Sequence, residues 1–202
     1  MWSSADIRAA YERVRQEAGP GVTVVVATKY VNATEMAALA EAGIEVVGEN
    51  RAQDLQAKHA VHGARFRWHF IGHLQSRKAP LVSQLCELCH SLDSISGARK
   101  LSIPTLVEVN LAGEESKSGV TPGELGRFLA EAGELGVDLR GLTTMPPLAD
   151  DPERSRPYFR ELTELAREHG LGELSMGTSQ DYRVAVEEGA TFIRVGSVLF
   201  GR

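Results

Sequence analysis

The sequence has no run of eighteen apolar residues, so no membrane-crossing helix is expected. It has only two cysteines, Cys86 and Cys89, too few for a disulfide framework. It also lacks a basic surplus. Its 22 lysines and arginines face 27 acidic residues, for a formal charge of −5, which argues against a general nucleic-acid binder. Residues Met1 to Tyr11 lack the basic start and apolar core of a signal peptide. No low-complexity tract, long linker or repeated block is visible. These absences lead to the expectation of a soluble, cytoplasmic protein with no membrane or nucleic-acid partner. What is present is ordinary for a globular chain: 43% hydrophobic and 24% charged residues. At 202 residues the chain can bury a core without disulfides or metals, and a single domain over 1–202 is expected.

Strand-like runs alternate with helix-like runs along the chain. Val22–Thr28 is β-branched and apolar, the mark of a strand buried on both faces. Further strands are expected at Ile44–Gly48, Arg67–Gly72, Leu88–Leu92, Pro104–Asn110, Leu139–Thr144, Glu173–Met176 and Thr191–Val195. Helices are expected between them: Thr34–Ala42 capped by Thr34, Glu49–Ala60, one ending at Leu85, Asp93–Lys100, Thr121–Gly133, Pro152–His169 and Ser179–Glu188. One more helix, over 4–17, precedes the first strand. Such alternation implies a parallel sheet with helical crossovers. Eight units suggest a closed (β/α)8 TIM barrel with an extra N-terminal helix, and an open doubly wound sheet is the rival. The leading helix would cover the surface that a final helix otherwise covers.

In a barrel the active site lies at the carboxyl ends of the strands. Strand one ends in Lys29. If alternation turns it inward with Thr23, Val25 and Ala27, apolar neighbours would lower its pKa, and a free amine could attack an aldehyde. The alternative is a lysine at the start of a solvated loop. Two turns follow strands seven and eight: Ser175-Met176-Gly177-Thr178-Ser179 and Arg194-Val195-Gly196-Ser197. Barrels often bind phosphate there, through helix N-terminal amides and hydroxyls, although Gly and Ser are common in any turn.

Other features point to structure. The pair Cys86 and Cys89 enters a strand, not a helix, and has no second pair to complete a zinc site, so buried thiols are expected and no metal. His69 and His73 are four apart, but Gly72 interrupts helical geometry. Trp68 and Phe70 should pack outward against helices. The polar stretch Glu114–Gly119 reads as a loop over the barrel mouth.

Taken in order, Ala27-Thr28-Lys29, Gly48-Glu49-Asn50, Trp68-His69-Phe70-Ile71-Gly72-His73-Leu74-Gln75, Ser116-Lys117-Ser118-Gly119, Ser175-Met176-Gly177 and Arg194-Val195-Gly196 form a recognisable pattern. The chain resembles the pyridoxal phosphate homeostasis proteins (the YggS/PROSC family), themselves similar to the barrel domain of alanine racemase standing alone. The resemblance implies pyridoxal phosphate held as a Schiff base on Lys29. Ser175, Gly196 and Ser197 would hold the phosphate, and Arg194 would face the ring nitrogen. Asn50 and His69 would contact the ring or its hydroxyl. It also implies buffering or delivery of the cofactor, with PLP-dependent apo-enzymes as partners, a monomeric state and no robust catalysis.

The alternative is a PLP-dependent enzyme such as an amino-acid racemase. Such an enzyme needs a second acid/base opposite Lys29, which the racemase draws from an extra domain not expected here. A cofactor-free binding barrel is a third possibility. The sequence departs from the family pattern at Arg77, where asparagine is usual, and at Thr143 and Thr178, where methionine is frequent. The region 93–103 is short.

Overall fold

The computed structural model describes residues 3–114 and 118–201. Eight parallel strands close into a barrel in sequence order: β1 (Thr23–Ala27), β2 (Val46–Glu49), β3 (Arg67–Phe70), β4 (Leu88–Leu92), β5 (Thr105–Glu108), β6 (Leu139–Thr143), β7 (Glu173–Thr178) and β8 (Phe192–Val195). The ring closes by pairing β8 with β1, from Thr23 opposite Phe192 to Val26 opposite Val195. The closed barrel replaces the open-sheet rival.

Helices α1 (Ser4–Ala18), α2 (Met36–Glu41), α3 (Ala52–His62), α4 (Ala79–Leu85), α5 (Ile95–Ala98), α6 (Pro122–Glu134), α7 (Arg156–Glu168) and α8 (Tyr182–Glu187) surround the strands, and α9 (Ser197–Phe200) follows β8. The main apolar core lies between barrel and helices. Outward strand residues such as Val24, Val26, Trp68, Phe70 and Ile193 meet helix residues such as Leu39, Leu55, Leu125, Phe159 and Leu162 there. Trp68 and Phe70 face outward as expected, and the Trp68 indole donates to the Gly63 carbonyl.

The leading helix packs against α2, α8, α9 and β1, the place expected for it. Polar contacts tie it down: Glu17 on α1 accepts from the Tyr182 hydroxyl and from Arg183 Nε and Nη2, both at 3.0 Å. The start of α2 differs from expectation. Thr34 does not cap it. Instead Asn32 and Glu35 bond reciprocally, Glu35 N–H to Asn32 Oδ1 and Asn32 N–H to Glu35 Oε2, each at 2.9 Å, the geometry of a capping box set two residues earlier. Among the described residues no helix is long and apolar enough to cross a membrane.

Candidate functional site

A cavity of about 480 Å³ opens at the carboxyl end of the barrel. Its wall is built from strand ends: Ala27 and Lys29 beyond β1, Asn50 beyond β2, Ile71 to His73 beyond β3, Met145 and Leu148 beyond β6, Thr178 to Gln180 at β7, and Arg194, Gly196 and Ser197 at β8. Of the seven residues expected to form a site, five meet here: Lys29, Asn50, Arg194, Gly196 and Ser197. Ser175 and His69 do not line the cavity; both lie within the barrel beneath it.

Lys29 is exposed, one residue beyond the last buried position of the strand end, rather than enclosed among inward-facing apolar residues. It belongs to a tight turn closed by Val31 N–H donating to the Thr28 carbonyl at 2.9 Å. Its ammonium stands 4.8 Å from the centre of the Tyr30 ring. Beneath it lies a buried polar cluster. The Thr28 hydroxyl donates to Glu49 Oε1 at 2.5 Å, and Lys58 on α3 pairs with the same carboxylate and donates to Thr28 O at 2.8 Å. Asn50 follows Glu49 and leaves its Oδ1 buried without a hydrogen-bond partner among the described residues. Gly72 is required beside it, since a Cβ there would meet Asn50 O at 2.0 Å.

The turn after β7 is shifted relative to the sequence expectation. β7 does not end at Met176 but runs to Thr178, with an irregular register opposite β8 between Ser175 and Thr178. Gly177 makes this possible at φ +89°, where an added Cβ would also lie 2.5 Å from the Ala185 side chain. The two extra residues move the strand end to Thr178, and Ser179 is the first residue beyond it. Ser179 Oγ accepts from Gly196 N–H at 2.9 Å and Val198 N–H at 3.3 Å. Two backbone donors thus converge on one oxygen at the cavity edge. Thr178 N–H and Oγ1 both donate to Asp181 Oδ1, at 2.7 and 3.0 Å.

The floor is a buried hydrogen-bonded chain. Arg194 Nη1 donates to Thr143 Oγ1 (2.5 Å), Ser175 Oγ (2.6 Å) and Ser175 O (2.9 Å), while Nη2 donates to Thr144 O and points to Met145 Sδ, both at 2.9 Å. Ser175 Oγ also meets His90 Nδ1 at 2.7 Å, and His90 Nε2 meets His69 Nδ1 at 2.9 Å. The Phe192 ring packs edge-on against both imidazoles. Burial pulls His69 down to about 4, with Arg67 adding to the effect, and holds His90 well below the usual histidine range, helped by His69 and Arg194. Both imidazoles are therefore neutral at pH 7. Burial also lowers the Arg194 guanidinium to about 10, against the pull of Glu108 and Asp181, and it remains charged. The sequence pattern does not single out His90 or the Glu49–Lys58 pair, whereas Ser179 belongs to the turn it marks after strand seven. His90 lies in a weak strand of mixed residues.

The profile of the family described as "Alanine racemase, N-terminal domain" matches residues 3–202. A pyridoxal phosphate homeostasis protein of Aquifex aeolicus (strain VF5) is 42% identical over 79% of this chain and 77% of its own length. One from Pseudomonas aeruginosa is 35% identical over 98% of this chain and 91% of its own. The chain belongs to the pyridoxal phosphate homeostasis protein family. The structure of PipY of Synechococcus elongatus PCC7942 with PLP bound is similar to it, with a TM-score of 0.86 and 32% identity over 96% of this chain and all of that one.

Within this family, the departures noted from sequence have definite places. Thr143 accepts one of the Arg194 hydrogen bonds and returns its own proton to Ser175 O at 2.7 Å. Thr178 lines the cavity. Arg77 lies in a neighbouring recess and bonds Gln75 Oε1 at 3.2 and 3.3 Å. The short 93–103 region holds only the one-turn α5, capped by Ser94, whose Oγ accepts from Gly97 N–H at 3.3 Å. Ser116 and Lys117 of the family pattern, and the middle of the Glu114–Gly119 loop, lie outside the described residues. Cys86 and Cys89 are free and buried, and the described residues contain no cluster of three metal-ligating groups.

Proposed function

We propose that this chain binds pyridoxal phosphate covalently through Lys29 and serves as a cofactor buffer or carrier rather than as an enzyme with substantial turnover. One observation carries the proposal. An accessible lysine, a pair of converging backbone amides and a buried arginine share one cavity in a chain of this family. The chemistry of the donor set fits the cofactor. Gly196 N–H and Val198 N–H already hold an oxygen, that of Ser179, and phosphate oxygens suit the same donors. Ser197 stands exposed beside them, and Asn50 Oδ1 is a buried acceptor with no donor among the described residues. Ser175 contributes through Arg194, and His69 through the chain beneath, so neither is assigned direct contact.

When bound, the cofactor supplies an electrophilic aldehyde and an electron-withdrawing ring. The Lys29 amine is the group that condenses with that aldehyde, with loss of one water. Arg194 is a fixed cation rather than an acid, because it holds its protons at neutral pH and its donors are engaged by Thr143, Ser175 and Thr144. A ring beside such a group gains no proton from it, which favours holding the cofactor over stabilising a substrate carbanion. Delivery to PLP-dependent apo-enzymes, a monomeric state and a cytoplasmic location complete the proposal.

A visible absorption band in the purified protein, abolished by borohydride, is the expected result. Its absence after incubation with pyridoxal phosphate would defeat the proposal. An amino-acid racemase, the alternative, is tested by α-carbon proton exchange in deuterated water. Exchange at about one per second or faster would favour the enzyme.

A further inference from the structure

The Glu49–Lys58 pair lies outside the cavity, yet it holds both strand ends that supply the cavity's first two polar groups. Glu49 is fully buried at the end of β2, and the Lys58 side chain on α3 is only 7% exposed. Lys58 Nζ bonds the Glu49 carboxylate and donates to the Thr28 carbonyl at 2.8 Å. That same carbonyl closes the Thr28–Val31 turn, in which Lys29 is the second residue. The carboxylate also accepts from the Thr28 hydroxyl at 2.5 Å and from Asn50 N–H at 3.3 Å. One ion pair therefore grips the backbone directly before Lys29 and at Asn50.

We propose that Lys58, acting with Glu49, is the positioning residue of the site, clamping the turn so that the Lys29 amine is presented to an aldehyde in the cavity. This rests on Lys29 being the amine that takes the aldehyde. Lys58 itself is committed to its carboxylate and is not a rival nucleophile. The energetic logic favours a geometric role. A buried ion pair adds little net stability compared with apolar groups of the same shape, yet removing one partner leaves a costly buried charge. Its value here is the orientation of a backbone turn, and misplacing a reacting group by about 1 Å can slow a reaction roughly a hundredfold.

The test uses the double variant Glu49→Gln, Lys58→Met, which removes both charges at similar volume. Two quantities are compared with wild type: the rate of covalent attachment of pyridoxal phosphate, and the affinity for pyridoxine phosphate, which has an alcohol in place of the aldehyde. Attachment slowed tenfold or more, with affinity for the alcohol within about twofold, is the expected result. Lys58→Gln keeps a donor for the Thr28 carbonyl and should recover most of the attachment rate.

An unchanged rate in the double variant overturns the proposal. So does a parallel loss of both quantities, or a Lys58→Gln variant no faster than the double variant. If the double variant does not fold, Lys58→Met is read alone, by hydrogen exchange of the Val31 amide and by the attachment rate. Lost protection with attachment slowed tenfold or more supports the clamp, and a wild-type rate, with or without protection, overturns it. A wild-type adduct found on a lysine other than Lys29 would instead refute the covalent assignment, a result the peptide map separates from all of these.

Discussion

Replacing Arg194 with methionine tests the floor of the cavity. The guanidinium is buried and donates to four oxygens, from Thr143, Ser175 twice and Thr144, with no carboxylate paired to it among the described residues. Hydrogen bonds from a charged donor contribute about 1.5–3 kcal/mol each, so the gross loss is large. Two effects reduce it. The Thr143 hydroxyl still donates to Ser175 O, and Ser175 Oγ still meets His90. Removing a buried cation without a counter-ion also relieves a desolvation penalty of several kcal/mol. The net expectation is a destabilisation of about 2–4 kcal/mol, or a fall in Tm of roughly 5–15 °C for a chain of this size.

Urea denaturation followed by circular dichroism measures it, with the slope unchanged from wild type. A double-mutant cycle with Ser175→Ala should show coupling of about 1 kcal/mol or more, because the two residues share one network. A variant as stable as wild type, or more stable, would show that the desolvation penalty outweighs the network and that Arg194 is kept only for its ligand.

Three further outcomes follow from the same structure. Histidines unfold with a pKa near 6.5, whereas folded His69 lies at about 4 and His90 is well below its usual range, so between those values the unfolded chain binds more protons. Stability should therefore fall as pH drops from about 6.5 toward 4, with His69 alone costing about 3 kcal/mol at pH 4. Comparison of urea midpoints with a His69→Gln, His90→Gln variant isolates this from Asp93 and Glu108, which burial shifts upward and which act in the opposite direction; equal slopes would contradict it. Ser179→Ala leaves the Gly196 and Val198 amides without their acceptor and should cost about 1–3 kcal/mol of stability, recovered in part by inorganic phosphate; no response to phosphate in thermal melts would count against the amide cradle. Burial pushes Cys89 up to about 11 and Cys86 higher still, so both thiols should react with a disulfide reagent at pH 8 only on unfolding, and stoichiometric reaction within mixing time would refute that.

The barrel was legible because parallel strands buried on both faces read as apolar runs, and helices between them carry glycine and cap signals. Leu88–Leu92 was placed to the residue despite its mixed composition. Lys29, Asn50, Arg194, Gly196 and Ser197 could be found from strand ends alone, since the fold fixes where such ends converge. The end of β7 was set two residues early, because the glycine-dependent irregularity at Gly177 extends the strand without changing its composition. The capping of α2 was misassigned for a similar reason, as Asn32 and Glu35 cap across a turn that hydropathy does not reveal. The chain from His69 through His90 to Ser175 joins residues 21 and 85 positions apart, and the Glu49–Lys58 pair spans a strand and a helix. Such pairings depend on closure of the barrel and on helix rotation, which no local pattern encodes.

The central claim is covalent binding of pyridoxal phosphate at Lys29. Intact mass after incubation with pyridoxal phosphate and borohydride reduction, followed by sequencing of the labelled peptide, tests it most directly. The account predicts one reduced adduct per chain, located on Lys29 and lost in Lys29→Ala while the fold is retained. No adduct, or an adduct that persists in Lys29→Ala on Lys58, Lys78, Lys100 or Lys117, would contradict it.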